Sequence, residues 1–358
     1  MVMPAPAPPL AARPTGDLLT RYARNPASFV VNYPGPWRWF RAPGLGGAVP
    51  YLQARHTALV WGDPLCAARD VPEVVARMTA AMTATGRRLC LALVQEDVAR
   101  AALEAGHRVL KIGEEAMFEL DGDQSLRGRA LKRVRGHVNH ARRHGVEVVV
   151  AAPGEAPAAG LAADVAEVQA AWEQRLGERV GRSVLEPAPL ERVDEKWVLV
   201  ARSGHEAHGF LTCTPVPGRD GWLLEDLVRH PDAVRGVTEL LVVTANQALA
   251  AAGAARTWMG IAPLRGTEEQ LDPRARRLMG AVRLAARRFD SRFDFSGTAA
   301  HQAKFQPTAW EPRFVTFHPP RLTPGLVRGA IAAIDPPADP WWTALRRRRH
   351  GRALPQPA

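Results

Sequence analysis

The alternation of short apolar runs with helix-spaced segments constrains this chain more than any other feature. Val71 to Thr85 carries apolar residues at helical spacing and stops at Gly86. Leu89 to Val94 is an apolar run of strand length, and Glu96 to Ala105 is helical again before Gly106. Arg108 to Ile112 and Ala116 to Leu120 read as strands on either side of Gly113-Glu114-Glu115. Further along, strands at Lys196–Ala201, His208–Thr214 and Gly221–Arg229 precede a long helix, Val237–Ala252. A strand at Arg256–Ile261 and another at Arg313–Phe317 follow. No sequence repeat is visible, yet the order of elements recurs. The pattern predicts an α/β (α+β) chain in two similar halves, each a mixed sheet flanked by helices.

Length agrees with that division, because 358 residues exceed the roughly 250–300 at which a single core stops growing. Composition shifts suggest the boundaries: a flexible, Pro/Ala-rich lead over 1–27, a first domain over 28–150 and a second over 151–320. Beyond it lies a Pro/Arg-rich tail, 321–358, with Trp341-Trp342 and the run Arg346-Arg347-Arg348-Arg349. The segment Phe29–Phe40 reads as an irregular entry strand.

Several function classes find no support. The cysteines, Cys66, Cys90 and Cys213, are far apart and form no CxxC or Cys/His pattern, so neither a disulfide framework nor a metal is expected. There is no Walker loop, dinucleotide fingerprint or Gly-x-Ser-x-Gly elbow, and no cofactor is expected. No apolar stretch approaches the length of a membrane span. A reducing, cytoplasmic setting is expected.

The formal net charge of +11 favours polyanionic partners. It is concentrated in Ser125–His144, which predicts one helix with the apolar stripe Leu126, Ala130, Val134, Val138 and Ala141. Its other faces carry Arg127, Arg129, Lys132, Arg133, Arg135, Arg142 and Arg143 and no acid. Like charges so close repel one another unless an anion lies against them. A nucleic-acid backbone, a lipid headgroup surface and plain solvation are the readings open here.

The unit Trp222–Ala252, strand then loop then helix, resembles the core of GCN5-type (GNAT) acetyltransferases, where the loop and helix N-terminus hold a phosphate. Here that loop reads Arg235-Gly236-Val237-Thr238-Glu239, with one glycine and an acid in the first turn, which disfavours coenzyme A. The resemblance sharpens over Asp226-Leu227-Val228-Arg229, Pro231, Asp232, Gly236 and Glu239. These are similar to a motif of the lysylphosphatidylglycerol synthase catalytic domain, the C-terminal part of the multiple peptide resistance factor. Collinear matches support it: Trp61-Gly62-Asp63-Pro64, Gly113-Glu114-Glu115-Ala116, Gly260-Ile261-Ala262-Pro263-Leu264, Phe295-Ser296-Gly297, Lys304-Phe305 and Trp310-Glu311-Pro312-Arg313-Phe314. The resemblance covers roughly residues 28–320 and implies two tandem GNAT-like domains. It implies aminoacyl-tRNA as donor and phosphatidylglycerol or a related polar lipid as acceptor, with peripheral contact to the inner membrane face. A soluble small-molecule acceptor and acyl-CoA-dependent N-acetylation remain as alternatives.

An aminoacyl ester is already activated, so its transfer to a hydroxyl requires orientation, a proton acceptor and oxyanion stabilisation. Asp226 is expected to be base or orienter, Arg229 to hold a phosphate or the oxyanion, and Glu311 to hold the α-amine. Arg313 and Lys304 are candidates for a phosphate, and Glu239 joins the substrate-binding set. Glu114 and Glu115 either close the first-domain side of a cleft or neutralise Arg133 and its neighbours. Lys132, Arg133, Arg135, Arg142 and Arg143 are the expected contacts to tRNA or another phosphate. For Asp226 and Arg229 a structural ion pair is the competing reading.

Overall fold

A computed structural model of the chain describes residues 15–122, 125–155, 159–176, 188–293 and 295–334. The Trp341-Trp342 pair and the terminal arginine run lie outside the described residues.

Eleven strands form one continuous sheet in the order β1-β2-β3-β4-β11-β5-β10-β9-β8-β7-β6. They span Arg38–Phe40 (β1), Val49–Ala54 (β2), Thr57–Trp61 (β3), Arg88–Val94 (β4), Arg108–Glu119 (β5) and Glu147–Ala151 (β6). The rest are Trp197–Ser203 (β7), Glu206–Val216 (β8), Gly221–Arg229 (β9), Arg256–Pro263 (β10) and Ala309–His318 (β11). Neighbours are antiparallel except at two places, β3 with β4 and β9 with β10. Each parallel pair is joined by a crossover helix, Val71–Ala84 (α2) and Val237–Ala251 (α6), because parallel strands cannot be linked by a tight turn. The recurrence in the sequence is therefore a repeated strand–helix–strand unit.

The two units share their middle. Strand β5 pairs with β11 on one side and β10 on the other, so the last strand of the chain inserts between β4 and β5. Gly113, Glu114 and Glu115, expected between two strands, lie inside the single strand β5.

Alternation along β7 sorts its side chains to two layers. Leu199 and Ala201 pack under α6 and under Lys132–Arg143 (α4). Val198 and Val200 meet Leu161, Val165 and Val168 of Ala159–Leu176 (α5) on the other face. In the first half, α2 and Glu96–Glu104 (α3) cover one cluster, while Arg276–Phe293 (α7) and Pro324–Ile334 (α9) cover another. Thr15–Tyr22 (α1) and Phe295–Ala303 (α8) are the other α-helices among the described residues.

Four expectations change. Residues 15–27, read as a flexible lead, include α1, whose Leu19 is buried against Phe29, Val31 and Leu65. Phe29–Phe40 is not a strand until Arg38: Asn25 accepts a hydrogen bond from the Ala27 N–H at 2.9 Å and Pro26 starts a 3-10 turn. The basic helix begins at Lys132, not Ser125. Gly128 sits at φ +87°, and the Arg135 guanidinium donates to the carbonyls of Leu126 and Gly128, which fixes a turn there. The start of the expected tail, Pro324–Ile334, is α9, packed on β2 and β3. No helix among the described residues is long and apolar enough to cross a membrane.

Candidate active site

A cleft of about 210 Å³ opens where β9 and β10 part. The two strands pair only at Gly221–Leu223 with Arg256–Trp258, and just beyond that point each is bulged against its other neighbour. On β9, Leu224 faces Cys213 and Leu227 faces Leu211, so Glu225 and Asp226 together oppose Thr212. On β10, Met259 and Gly260 are the extra stretch between Trp258 and Ile261, with Gly260 at φ +72°. A bulge bends its strand, and two bulges side by side spread the sheet. The Gln302 side chain of α8 donates to the freed carbonyls of Met259 (3.0 Å) and Gly260 (3.2 Å), which satisfies those two acceptors.

Both bulged carboxylates line the cleft, which an ordinary strand would not allow for adjacent residues. The Thr212 hydroxyl donates to Asp226 Oδ2 at 3.2 Å. Burial first, then the charge of Glu225, push the Asp226 carboxyl up to about 7. Glu225 is engaged by the Tyr33 hydroxyl, which donates to it, and by the Lys196 ammonium at 3.6 Å. Lys196 is fully buried, donates to the Ala188 carbonyl at 2.8 Å and lies 4.5 Å above the Tyr33 ring. Burial pulls its ammonium below the ordinary value, against the opposing pull of Glu225.

The opposite wall comes from β5 and β11. Arg313 Nε donates to Glu115 at 2.8 Å and Nη2 to both Glu115 and Glu311, the latter at 3.0 Å. Glu311 is also forked by Arg219 at 2.8 and 2.6 Å, and Arg219 in turn stacks over Trp258. Burial works to raise the Glu311 carboxyl, but Arg219 and then Arg313 outweigh it and hold it below its usual value. Burial also pushes the Glu115 carboxyl up, against the pull of Arg313.

Of the residues singled out in the sequence, the cleft gathers Asp226, Glu115 and Arg313. Glu311 stands beside Arg313, as two residues apart on one strand must, but both its oxygens are taken by arginines. Arg229 is exposed at the end of β9 and does not line the cleft, since a spacing of three along a strand points the other way. Glu114 leaves the cleft for Lys111 (2.7 Å) and Arg265 (3.2 Å); neither glutamate meets Arg133.

Glu239 and Lys304 are drawn to each other instead of to the cleft. Lys304 Nζ donates to Glu239 at 2.6 Å, and His137 Nδ1 and the Thr238 hydroxyl complete the carboxylate's shell. Burial would raise Glu239, yet these partners outweigh it and hold the carboxyl down at about 2. Beside them α4 presses on the loop after β9: a Cβ on Gly236, at φ +95°, would lie 2.1 Å from the His137 carbonyl oxygen. The loop that holds a phosphate in the GNAT pattern is thus occupied by this chain's own helix. Lys132, Arg133, Arg142 and Arg143 are exposed on the outer face of α4, while Arg135 holds the turn before it. Arg142 and Arg143 line a shallow groove with Gly136 and Asn139.

Tyr33, Lys196, Glu225 and Arg219 were not visible as site residues in the sequence. Glu225 adjoins Asp226, but only the bulge reveals that both face inward. Among the described residues no group of His, Cys, Asp and Glu is arranged to hold a metal ion.

Twin strand–helix–strand units sharing one sheet, with an acid-lined cleft at the parting strands, define a mixed α/β fold built from two similar halves. The chain belongs to the family described as phosphatidylglycerol lysyltransferase, C-terminal, whose model matches residues 17–317. It is 28% identical over 280 residues to the lysylphosphatidylglycerol biosynthesis bifunctional protein LysX of Rhodococcus jostii, covering 77% of this chain and 25% of that protein. The corresponding protein of Nocardia farcinica is 27% identical over 299 residues, covering 82% and 25%. The chain thus spans about a quarter of the length of these relatives. Among solved structures, it is similar to the C-terminal domain (DUF2156) assigned to a lysylphosphatidylglycerol synthetase from Agrobacterium fabrum. That match has a TM-score of 0.72 and 21% identity over 90% of this chain and 96% of the other. L-PGS from Bacillus licheniformis also superposes at 0.72, with 18% identity and the same coverage.

Proposed function

We propose that the chain moves an aminoacyl group from aminoacyl-tRNA to an acceptor hydroxyl, that of phosphatidylglycerol or a related polar lipid. Family membership supports the reaction class, and one observation carries the site: Asp226 is a half-buried carboxyl, raised to about 7, lining the cleft at the open seam of the sheet. A base in that range takes a proton from a hydroxyl at neutral pH and returns it in the same turnover. The acceptor oxygen attacks the ester carbonyl while Asp226 takes its proton. The tetrahedral adduct then collapses, the bond to the tRNA ribose oxygen breaks, and that oxygen receives the proton.

Arg313 faces Asp226 from the opposite wall as the fixed positive charge for the adduct's oxyanion. Four of its five N–H groups are used within the chain, and one Nη1 hydrogen is left over. Arg229, exposed at the outer end of β9, suits an acceptor phosphate better than the oxyanion. The exposed cations of α4 suit the tRNA backbone, and Lys304 and Glu239 serve to anchor α4 rather than to bind substrate.

The test is an incubation of purified protein with charged tRNA carrying labelled amino acids and vesicles containing phosphatidylglycerol. Label in the lipid extract is expected. Label in a small soluble product, once cell extract is added, would replace the lipid with a soluble acceptor. Label that stays on tRNA while acetyl-CoA is consumed would overturn the proposal.

A further inference from the structure

Every aminoacyl donor brings an α-amine, but a lysyl or arginyl donor brings a second cation on its side chain. A cation moved out of water into a cleft is costly unless a carboxylate meets it. The supply of such carboxylates can be read directly from the cleft.

Three acids line it: Glu115, Glu225 and Asp226. Glu115 is matched by Arg313. Glu225 is matched by Lys196 at 3.6 Å and also accepts the Tyr33 hydroxyl. Of these three, Asp226 alone has no cation of the described residues at ion-pair distance; the Thr212 hydroxyl and the Ala188 backbone N–H hold it, and Lys196 acts on it only from farther off. Asp63, the other buried acid nearby, does not line the cleft, and its Oδ1 accepts from the Gln95 N–H at 2.9 Å. Glu311, held by two arginines, does not line it either.

Lys196 is built in from behind. It follows the 3-10 turn Val193–Glu195 and directly precedes β7. Its ammonium is anchored to the Ala188 carbonyl and to the face of Tyr33. With no exposed surface, it is fixed behind the wall, beside the lining residues Glu225 and Tyr33, and is not a mobile surface lysine.

Resting on the aminoacyl-transfer reading, we infer that the donor amino acid has an uncharged side chain, because Lys196 already fills the cation place that a lysyl side chain would take beside Glu225. The one remaining carboxylate, Asp226, is shared between the acceptor's proton and the α-amine common to all donors. Lys196 is thereby a specificity-determining residue, which sets this chain apart from the lysine named in its relatives' descriptions.

The experiment uses the full chain, phosphatidylglycerol vesicles and one tRNA body charged chemically with either alanine or lysine, so that RNA contacts are identical. Alanine is expected to transfer with kcat/KM about tenfold or more above lysine. In Lys196→Met, which keeps the volume and removes the charge, the ratio is expected to fall toward one. Lysine transferred as fast as alanine by the unaltered chain overturns the inference without touching the transferase reading. Failure of both amino acids to transfer, to the vesicles and to added cell extract alike, overturns the transferase reading itself. A Lys196→Met chain that keeps its unfolding midpoint and its alanine preference also overturns the role of Lys196. If that variant does not fold, the alanine-to-lysine ratio of the unaltered chain still decides the matter.

Discussion

Glu225 and Asp226, adjacent on β9, both face one residue of β8, Thr212, and so present two carboxylates to the same cleft. The charge of Glu225 adds to burial in raising Asp226 to about 7.

That pairing sets the pH dependence of transfer. Asp226 accepts a proton only when ionised, so the rate should rise with pH through about 7 and then level. Glu225→Gln removes the neighbouring charge and should shift this limb to lower pH. Asp226→Asn should lower kcat by about 10²–10⁴-fold, the usual contribution of a general base. A limb unmoved in Glu225→Gln would show that the two carboxylates do not act together.

Glu239 should govern how α4 stays docked. Its carboxyl is held down at about 2, so the stabilisation it brings is present above its unfolded value and is lost as pH falls through about 2. Glu239→Gln strands Lys304 without its partner and should cost about 3 kcal/mol at pH 7, less than the full loss of a buried pair. Urea unfolding of both chains at pH 7 and at low pH should show the gap narrowing with acid.

Gly236→Ala tests the contact between α4 and the loop after β9. The new Cβ would lie 2.1 Å from the His137 carbonyl at a backbone φ of +95°, so either the loop or α4 must move. A cost of about 1–3 kcal/mol is expected from the backbone strain alone. Greater protease sensitivity near α4 would accompany it; an unchanged melting temperature would count against the close packing.

Replacing Arg133, Arg142 and Arg143 together with glutamate should weaken tRNA binding and flatten its dependence on salt. Each lost phosphate contact removes about 0.7–0.9 from the slope of log K against log salt. These side chains are exposed, so thermal unfolding should change little. Binding measured at several salt concentrations separates a docking face from a solvated one.

Arg229→Ala should leave folding intact, because the residue is exposed at a strand end. It should raise the KM for the lipid acceptor more than it lowers kcat. A large fall in kcat at saturating acceptor would return Arg229 to the reacting atoms.

Much of the fold could be read in advance because it rests on local patterning. The run Leu89–Val94 between two glycine-terminated helices became β4 between α2 and α3, and the unit Trp222–Ala252 became β9 and α6. The helix over Ser125–His144 was read too long because its apolar spacing continues through Leu126 and Ala130, whereas the turn at Gly128, held by Arg135, delays its start to Lys132. Of the residues singled out for the site, Asp226, Glu115 and Arg313 come together in one cleft. Arg229, Glu114, Glu239 and Lys304 were grouped with them because charge and spacing do not say which face of a strand, or which partner, a side chain meets.

The sequence by itself determined the order of elements, the basic helix and the family, since periodicity, punctuation and motif order are properties of neighbours in the chain. Tertiary structure alone decided that β11 inserts between β4 and β5 and that two bulges open β9 from β10. It also decided that Lys196, thirty residues from Asp226, neutralises the carboxylate next to it. These depend on which distant segments pack together, and long-range packing leaves no periodic mark in a single chain.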